Sequence, residues 1–193
     1  MKKDIILAGV GGQGILTIAT IIGDAAAVAG LRLKQAEVHG MSQRGGDVQS
    51  NLRLSTEPIA SDLIAKGGAD IIISLEPMEA LRYLSYLKKD GWVVTSNVPF
   101  VNIPNYPAEE ELAAHLKALP NCVALNVEEL AKEAGAPLQA ANMVLLGAAI
   151  PMLDIEFEKI EAGIRRIFAR KGEEVIEKNL AAVRAGYNNS IKK

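Results

Sequence analysis

The feature that most constrains this chain is a glycine corner close to its start. Residues 5–8 (IILA) are a short apolar run that meets Gly9, the pattern of a buried parallel strand ending in a turn. Gly9-Val10-Gly11-Gly12-Gln13-Gly14 follows and satisfies G-x-G-x-x-G. From Ile15 to Ala29 the residues are mostly small or apolar, and Gly30 stands at the end, where a helix is expected to stop. Strand, glycine turn and helix in that order is the context in which the motif has meaning. Glycines let the backbone turn tightly and bring its N–H groups near an anion, and the helix N-terminus adds about half a positive charge. The same loop also serves as a bare strand-to-helix corner. The context favours phosphate or cofactor contact over that second reading.

Alternation continues downstream. Leu31 to Val38 alternates apolar with polar residues, and Val48, Leu52 and Leu54 follow at strand-like spacing. Ala69–Leu75 (ADIIISL), Trp92–Ser96 and Cys122–Asn126 read as further strands. Glu76-Pro77 opens a helix with proline in its first turn, expected to run to about Lys89 before Asp90-Gly91 turns the chain. Residues 97–107 hold three prolines and three asparagines and form an irregular connection. Glu109–Leu119 is an amphipathic helix, Val127–Ala134 a short helix closed by Gly135. The last third predicts helices over Leu138–Leu153, Glu156–Arg170 and Glu173–Ala185. The expected fold is α/β: a Rossmann-like three-layer arrangement with a mostly parallel sheet, right-handed crossovers and a helical C-terminal region. With 193 residues and no internal repeat or linker, a single domain over 1–193 is expected.

Composition removes several function classes. The net charge is −2 with both signs mixed along the chain, so no basic stripe offers itself to nucleic acid. No apolar window reaches the ~18 residues of a membrane span. Met1-Lys2-Lys3 is followed at once by Asp4 and then the glycine cluster, which reads as a cytoplasmic start and not a signal peptide. The chain has one cysteine, Cys122, and two histidines, His39 and His115. These cannot assemble a zinc or iron–sulfur site, so any metal in a final assembly is expected from another chain.

A second glycine-rich stretch, His39 to Gly46 (HGMSQRGG), lies between strand-like segments. Such a loop can place backbone amides and a few side chains close to a ligand. Three segments now stand together: GVGGQGI, EVHGMSQRGGDVQSNLR (Glu37–Arg53) and SLEPMEALRY (Ser74–Tyr83). Over residues 3–187 this pattern resembles the gamma-type subunit of 2-oxoacid:ferredoxin oxidoreductases. The third motif and AANMVLLG (Ala140–Gly147) bring it nearest the beta subunit of the indolepyruvate enzymes.

The resemblance implies an oxidoreductase subunit that is inactive alone. Such enzymes decarboxylate a 2-oxoacid on thiamine diphosphate, pass electrons through 4Fe–4S clusters to ferredoxin and release an acyl-CoA. Thiamine diphosphate and the clusters would sit on a large partner subunit, with coenzyme A as co-substrate and ferredoxin reached through the complex. No cofactor would be held by this chain alone. The resemblance places Gly9, Gly11, Gly12, Gln13 and Gly14 along the coenzyme A side of the cleft, through the backbone. It places His39, Ser42, Gln43 and Arg44 on the second loop, facing the same cleft or the partner. Gly45 and Gly46 would allow close backbone approach, and Arg44 can contact phosphate or carboxylate in bidentate fashion.

Other residues divide between function and structure. His39 is read as a hydrogen-bonded structural residue before a catalytic one, because thiamine chemistry is cofactor-driven; no catalytic residue is assigned. His115 is expected at the surface, and Cys122 as a small buried hydrophobe. Arg53 is either extra charge for the site or a surface strand residue. Asn142 is either a capping group or a hydrogen-bonding group at an interface. Glu76 and Glu79 complement a helix dipole. Two alternatives stay open: a stand-alone dinucleotide-binding domain with Glu37 on a ribose hydroxyl, and a purely structural interaction subunit.

Overall fold

The computed structural model describes residues 1–39 and 45–191. Strands β1 (Lys2–Val10), β2 (Arg32–His39), β3 (Asp47–Ser55), β4 (Ala69–Ser74), β5 (Leu87–Ser96) and β6 (Cys122–Leu125) form one sheet, in the order β2-β3-β1-β4-β5-β6. β1, β4, β5 and β6 run parallel, while β3 is antiparallel to both β1 and β2. Helices α1 (Ile15–Val28), α2 (Pro77–Arg82), α3 (Glu109–Lys117), α4 (Val127–Glu133), α5 (Ala141–Leu153), α6 (Phe157–Phe168) and α7 (Glu173–Ser190) cover the sheet. No helix of the described residues is long and apolar enough to cross a membrane.

The period of a strand sorts its side chains into two cores. Ile5 and Leu7 of β1, Ile71 and Ile73 of β4, and Val94 of β5 face the larger one, with α1, α4, α5, α6 and α7. Ile6, Ala8, Ile72 and Val93 face a smaller one, with Ala80 and Tyr83 at α2. Strands buried on both faces read as continuous apolar runs, which is why IILA and IIIS stand out in the sequence. The result is the expected α/β three-layer architecture, with the C-terminal helices on one face.

Helix α5 is buried along almost its whole length and packs on α7. A methyl at Gly186 would lie 1.8 Å from the Val144 carbonyl oxygen, and one at Gly147 would lie 2.0 Å from that of Val183. The two backbones touch there.

Two expectations are corrected. The helix after Glu76 ends at Arg82, not near Lys89; a 3-10 turn over Leu84–Tyr86 leads into β5 at Leu87. Burial of Tyr83, with Leu84, Tyr86 and Leu87 packed on the smaller core, overrides helix propensity there. Asp90-Gly91 is not a turn but lies inside β5, opposite a register shift that carries the pairing from Ala69↔Leu87 to Ile71↔Trp92. The alternating segment is a strand, β2, at the edge of the sheet, with Leu33 and Val38 exposed.

Arg53 is settled as structural. It sits directly across from Asp4 in the β1–β3 register and donates from Nε to Oδ1 at 2.7 Å and from Nη2 to Oδ2 at 3.1 Å. Its Nη1 also donates to the carbonyls of Ser61 and Leu63. Burial alone would raise the Asp4 carboxyl; hydrogen bonds from Arg53 and Lys2 outweigh it and hold the group below its ordinary value. A carboxylate with a lowered folded-state pKa stabilises the fold above its unfolded value and loses that contribution as pH falls through the folded one. Arg53→Met should therefore cost about 3 kcal/mol at neutral pH, by leaving a buried carboxylate poorly compensated. The deficit should shrink as pH falls below the ordinary carboxylate range. Urea titrations at two pH values check this, and a pH-independent deficit would refute it.

Candidate functional site

The chain leaves β1 toward one edge of the sheet, through α1 to β2, and leaves β4 toward the other, through α2, β5, α3 and β6. A crevice opens where strand order reverses, at the carboxyl ends of β1 and β4, and ligands of α/β sheets bind at such switch points. The glycine corner lies there. Gly14 caps α1 in the left-handed region, at φ 83°.

Gln13 stitches the two lips of the crevice. Its Oε1 accepts from the Val10 N–H at 2.7 Å and its Nε2 donates to the Leu75 carbonyl at 3.3 Å. Leu75 in turn donates its N–H to the Ala8 carbonyl at 3.1 Å. The Gln13 side chain is thus committed within the chain. The amides of Gly12 and Gly14 have no partner among the described residues, so they are the donors this corner offers to a ligand.

The two glycine motifs meet. Gly11 N–H donates to the Gly46 carbonyl at 2.8 Å, and Gly45 N–H to the Gly11 carbonyl at 3.4 Å. Asn102 Nδ2 donates to the Gly45 carbonyl at 2.8 Å. The structure therefore brings Gly9, Gly11, Gly12, Gln13, Gly14, Gly45 and Gly46 to one place. His39 ends β2, its backbone opposite Val48. Its side chain, and the whole of Ser42, Gln43 and Arg44, lie outside the described residues.

Beside the corner is a cleft of about 390 Å³. Gly12–Gly14 and Leu75 form its floor. Val98, Pro99 and Phe100 form one wall; Glu128, Leu138 and Asn142 belong to the other. Its described lining is largely apolar, contains one carboxylate, Glu128, and holds no lysine or arginine. No group of three or more metal-binding side chains occurs among the described residues.

Two residues emerge with larger roles than the sequence suggested. Asn142, in the first turn of α5, donates to the Gly14 carbonyl at 3.2 Å, which ties the glycine corner to a helix 128 residues further along the chain. Glu76 is fully buried. Its Oε2 caps α2 by accepting from the Glu79 N–H at 2.8 Å, and its Oε1 accepts from Phe100 N–H at 3.4 Å and from the Tyr106 hydroxyl. The motif SLEP was the available signal, since a residue before proline at a helix start is a capping candidate. Glu79 is buried beside it; burial pushes its carboxyl up, partly offset by bidentate bonds from Arg82. Burial, and then the charge of Asp47, push the Tyr83 hydroxyl up to about 12.

The dinucleotide alternative loses its geometry. In that arrangement the acidic residue sits on the strand next to β1. Here β3 occupies that place, and Glu37 lies on the far side of it, roughly 10 Å from β1 by strand spacing.

Known proteins resemble this chain over nearly its whole length. Residues 4–189 match the family model for pyruvate ferredoxin/flavodoxin oxidoreductase. The chain is 38% identical over 200 residues to the indolepyruvate oxidoreductase subunit IorB of Archaeoglobus fulgidus, covering 99% of this chain and 96% of that one. Two solved structures share the fold. One is the gamma subunit of a keto/oxoacid ferredoxin oxidoreductase of Geobacter sulfurreducens, at TM-score 0.71, 24% identity and 99% coverage of both chains. The other is a 2-oxoglutarate:ferredoxin oxidoreductase of Magnetococcus marinus with 2-oxoglutarate, coenzyme A and succinyl-CoA bound, at TM-score 0.77 and 22% identity. It covers all of this chain, which spans 31% of that longer one.

A methyl at Gly14 would lie 2.6 Å from Asn142 Nδ2, on top of a backbone angle that costs an L-residue about 1–2 kcal/mol. Gly14→Ala should therefore destabilise by about 2 kcal/mol, and Asn142→Ala by about 1 kcal/mol. The double variant should lose less than the sum, because the clash has been removed. Strict additivity in denaturant titrations would show that the contact is not made.

Proposed function

This chain belongs to the pyruvate ferredoxin/flavodoxin oxidoreductase family, and from that premise we propose that its cleft forms the coenzyme A side of a shared active site. The chain is a small subunit of a 2-oxoacid:ferredoxin oxidoreductase. In the proposed assembly a large partner holds thiamine diphosphate and the 4Fe–4S clusters and delivers electrons to ferredoxin. The substrate is indolepyruvate or another aryl 2-oxoacid, a reading supported by the IorB relative. The protein would act in the cytoplasm.

The observation that carries the reading is the cleft at the switch point, built of two glycine loops that the fold brings into contact. Its chemistry suits an uncharged, amide-bearing arm. The amides of Gly12 and Gly14, unpartnered among the described residues, and the side chain of Gln139 offer hydrogen bonds; Leu75, Val98 and Leu138 offer apolar surface. Coenzyme A, when bound, supplies the thiol that takes up the acyl group. With Glu128 in the lining and no cation there among the described residues, the phosphates are assigned to Arg44 and to the partner. His39, Ser42 and Gln43 belong to the same loop, and their part in binding is proposed with it.

The test is co-expression with the large subunit, followed by assay of coenzyme A-dependent ferredoxin reduction with indolepyruvate. The isolated chain should be inactive and the complex active. Arg44→Ala should leave the complex intact and raise the KM for coenzyme A about tenfold or more, the loss of a charge-assisted hydrogen bond. Loss of assembly in that variant would favour the purely structural reading. An intact complex with unchanged KM would remove Arg44 from the site.

A further inference from the structure

The loop 97–107, whose Val98, Pro99 and Phe100 form one wall of the cleft, has no regular structure and little apolar burial to hold it: Phe100 is 46% and Val101 70% exposed. At its root it is tied by Asn97 N–H to the Leu125 carbonyl at 2.9 Å and Val98 N–H to Ser96 Oγ at 3.1 Å. Further out, two of its groups converge on one atom, Glu76 Oε1: the Phe100 N–H and the Tyr106 hydroxyl. A third, Asn102, reaches across to Gly45 of the second loop.

Glu76 is an unusual choice for the place it fills. Short side chains, Ser, Thr, Asp and Asn, are the preferred N-caps, and any of them could accept from the Glu79 N–H. Complete burial of a carboxylate is costly unless it is well hydrogen-bonded, and no ion pair to Glu76 exists among the described residues. The added length of glutamate serves another purpose. It lets one oxygen cap α2 while the other holds the loop. Ser74 Oγ fixes the Glu76 backbone from both sides, accepting from its N–H and donating to its carbonyl. The preceding residue, Leu75, is the cleft floor that Gln13 grips. Glu76 therefore connects floor and wall of one cleft.

We infer that Glu76 is a positioning residue and that its bond to Tyr106 is a latch, setting the 97–107 wall at the width that coenzyme A requires. The inference rests on the proposed role of the cleft. Burial, with Glu76 beside it, holds the Tyr106 hydroxyl well above its ordinary value, so the latch keeps its donor at neutral and alkaline pH.

The experiment uses the complex with its large subunit and the variant Tyr106→Phe, which keeps the ring and leaves the α2 cap intact. The KM for coenzyme A should rise about five- to tenfold, the equivalent of one lost hydrogen bond, with the KM for the 2-oxoacid unchanged. Amide exchange should quicken across 97–107 and stay unchanged in α2. Glu76→Asp, which keeps a capping carboxylate but shortens its reach, should reproduce both effects. Unchanged KM for coenzyme A in Tyr106→Phe overturns the latch, whether or not loop exchange quickens. Leu138→Trp, which narrows the cleft from its other wall, separates the causes. If it raises that KM while Tyr106→Phe does not, the latch is wrong and the cleft assignment stands. If neither variant moves it, the cleft assignment fails as well.

Discussion

β3 enters the sheet against the direction of its neighbours, and the geometry of the site follows from that pairing. Nine consecutive partners join it to β1, from Lys2↔Ser55 to Val10↔Asp47, and the ladder continues past the strand ends as Gly11 pairs with Gly45 and Gly46. One end is locked by Asp4 and Arg53, directly opposed and hydrogen-bonded in bidentate fashion. Cross-strand pairs of this kind hold register. A slip by one residue would part the two glycine loops and turn Leu52 and Leu54 out of the larger core. A salt bridge far from the cleft thus helps decide where the second loop begins.

The same insertion explains why a dinucleotide motif does not make a dinucleotide site here. G-x-G-x-x-G supplies the corner, but the ribose-reading residue must come from the strand beside β1. An antiparallel strand stands in that position and carries β2 and Glu37 to the sheet edge. The space next to the corner opens instead toward β4, β5 and the N-terminal end of α5, where Asn142 holds Gly14.

Much of this was legible in the sequence. The IILA and IIIS runs mark strands buried on both faces, and GVGGQG after IILA marks the corner. The direction of β3 is legible too: eight residues between Val38 and Asp47 are too few for a parallel crossover. What the sequence hides is pairwise and distant. Gln13 meets Leu75 across 62 residues, Asn142 meets Gly14 across 128, and Tyr106 meets Glu76 across 30. No local pattern records such partners. The end of α2 is hidden for a related reason: the packing of Tyr83 and Tyr86 on the smaller core is a tertiary effect that periodicity cannot report.

Most polar groups at the crevice are consumed in holding it together. Gln13 has both ends of its amide engaged, Asn142 is spent on Gly14, and Glu76 on α2 and the 97–107 loop. Among the described residues, what remains are the amides of Gly12 and Gly14, the side chain of Gln139, a mostly apolar surface and one carboxylate. The described lining can shape a ligand but offers little, among the described residues, to move a proton or take up an electron. That division of labour suits a small subunit of a cofactor-driven enzyme, in which the protein's task is orientation. It also accounts for the hydrogen bonds that hold the corner. A wall that orients a flexible ligand must be ordered before the ligand arrives, because each degree of freedom frozen on binding subtracts from affinity.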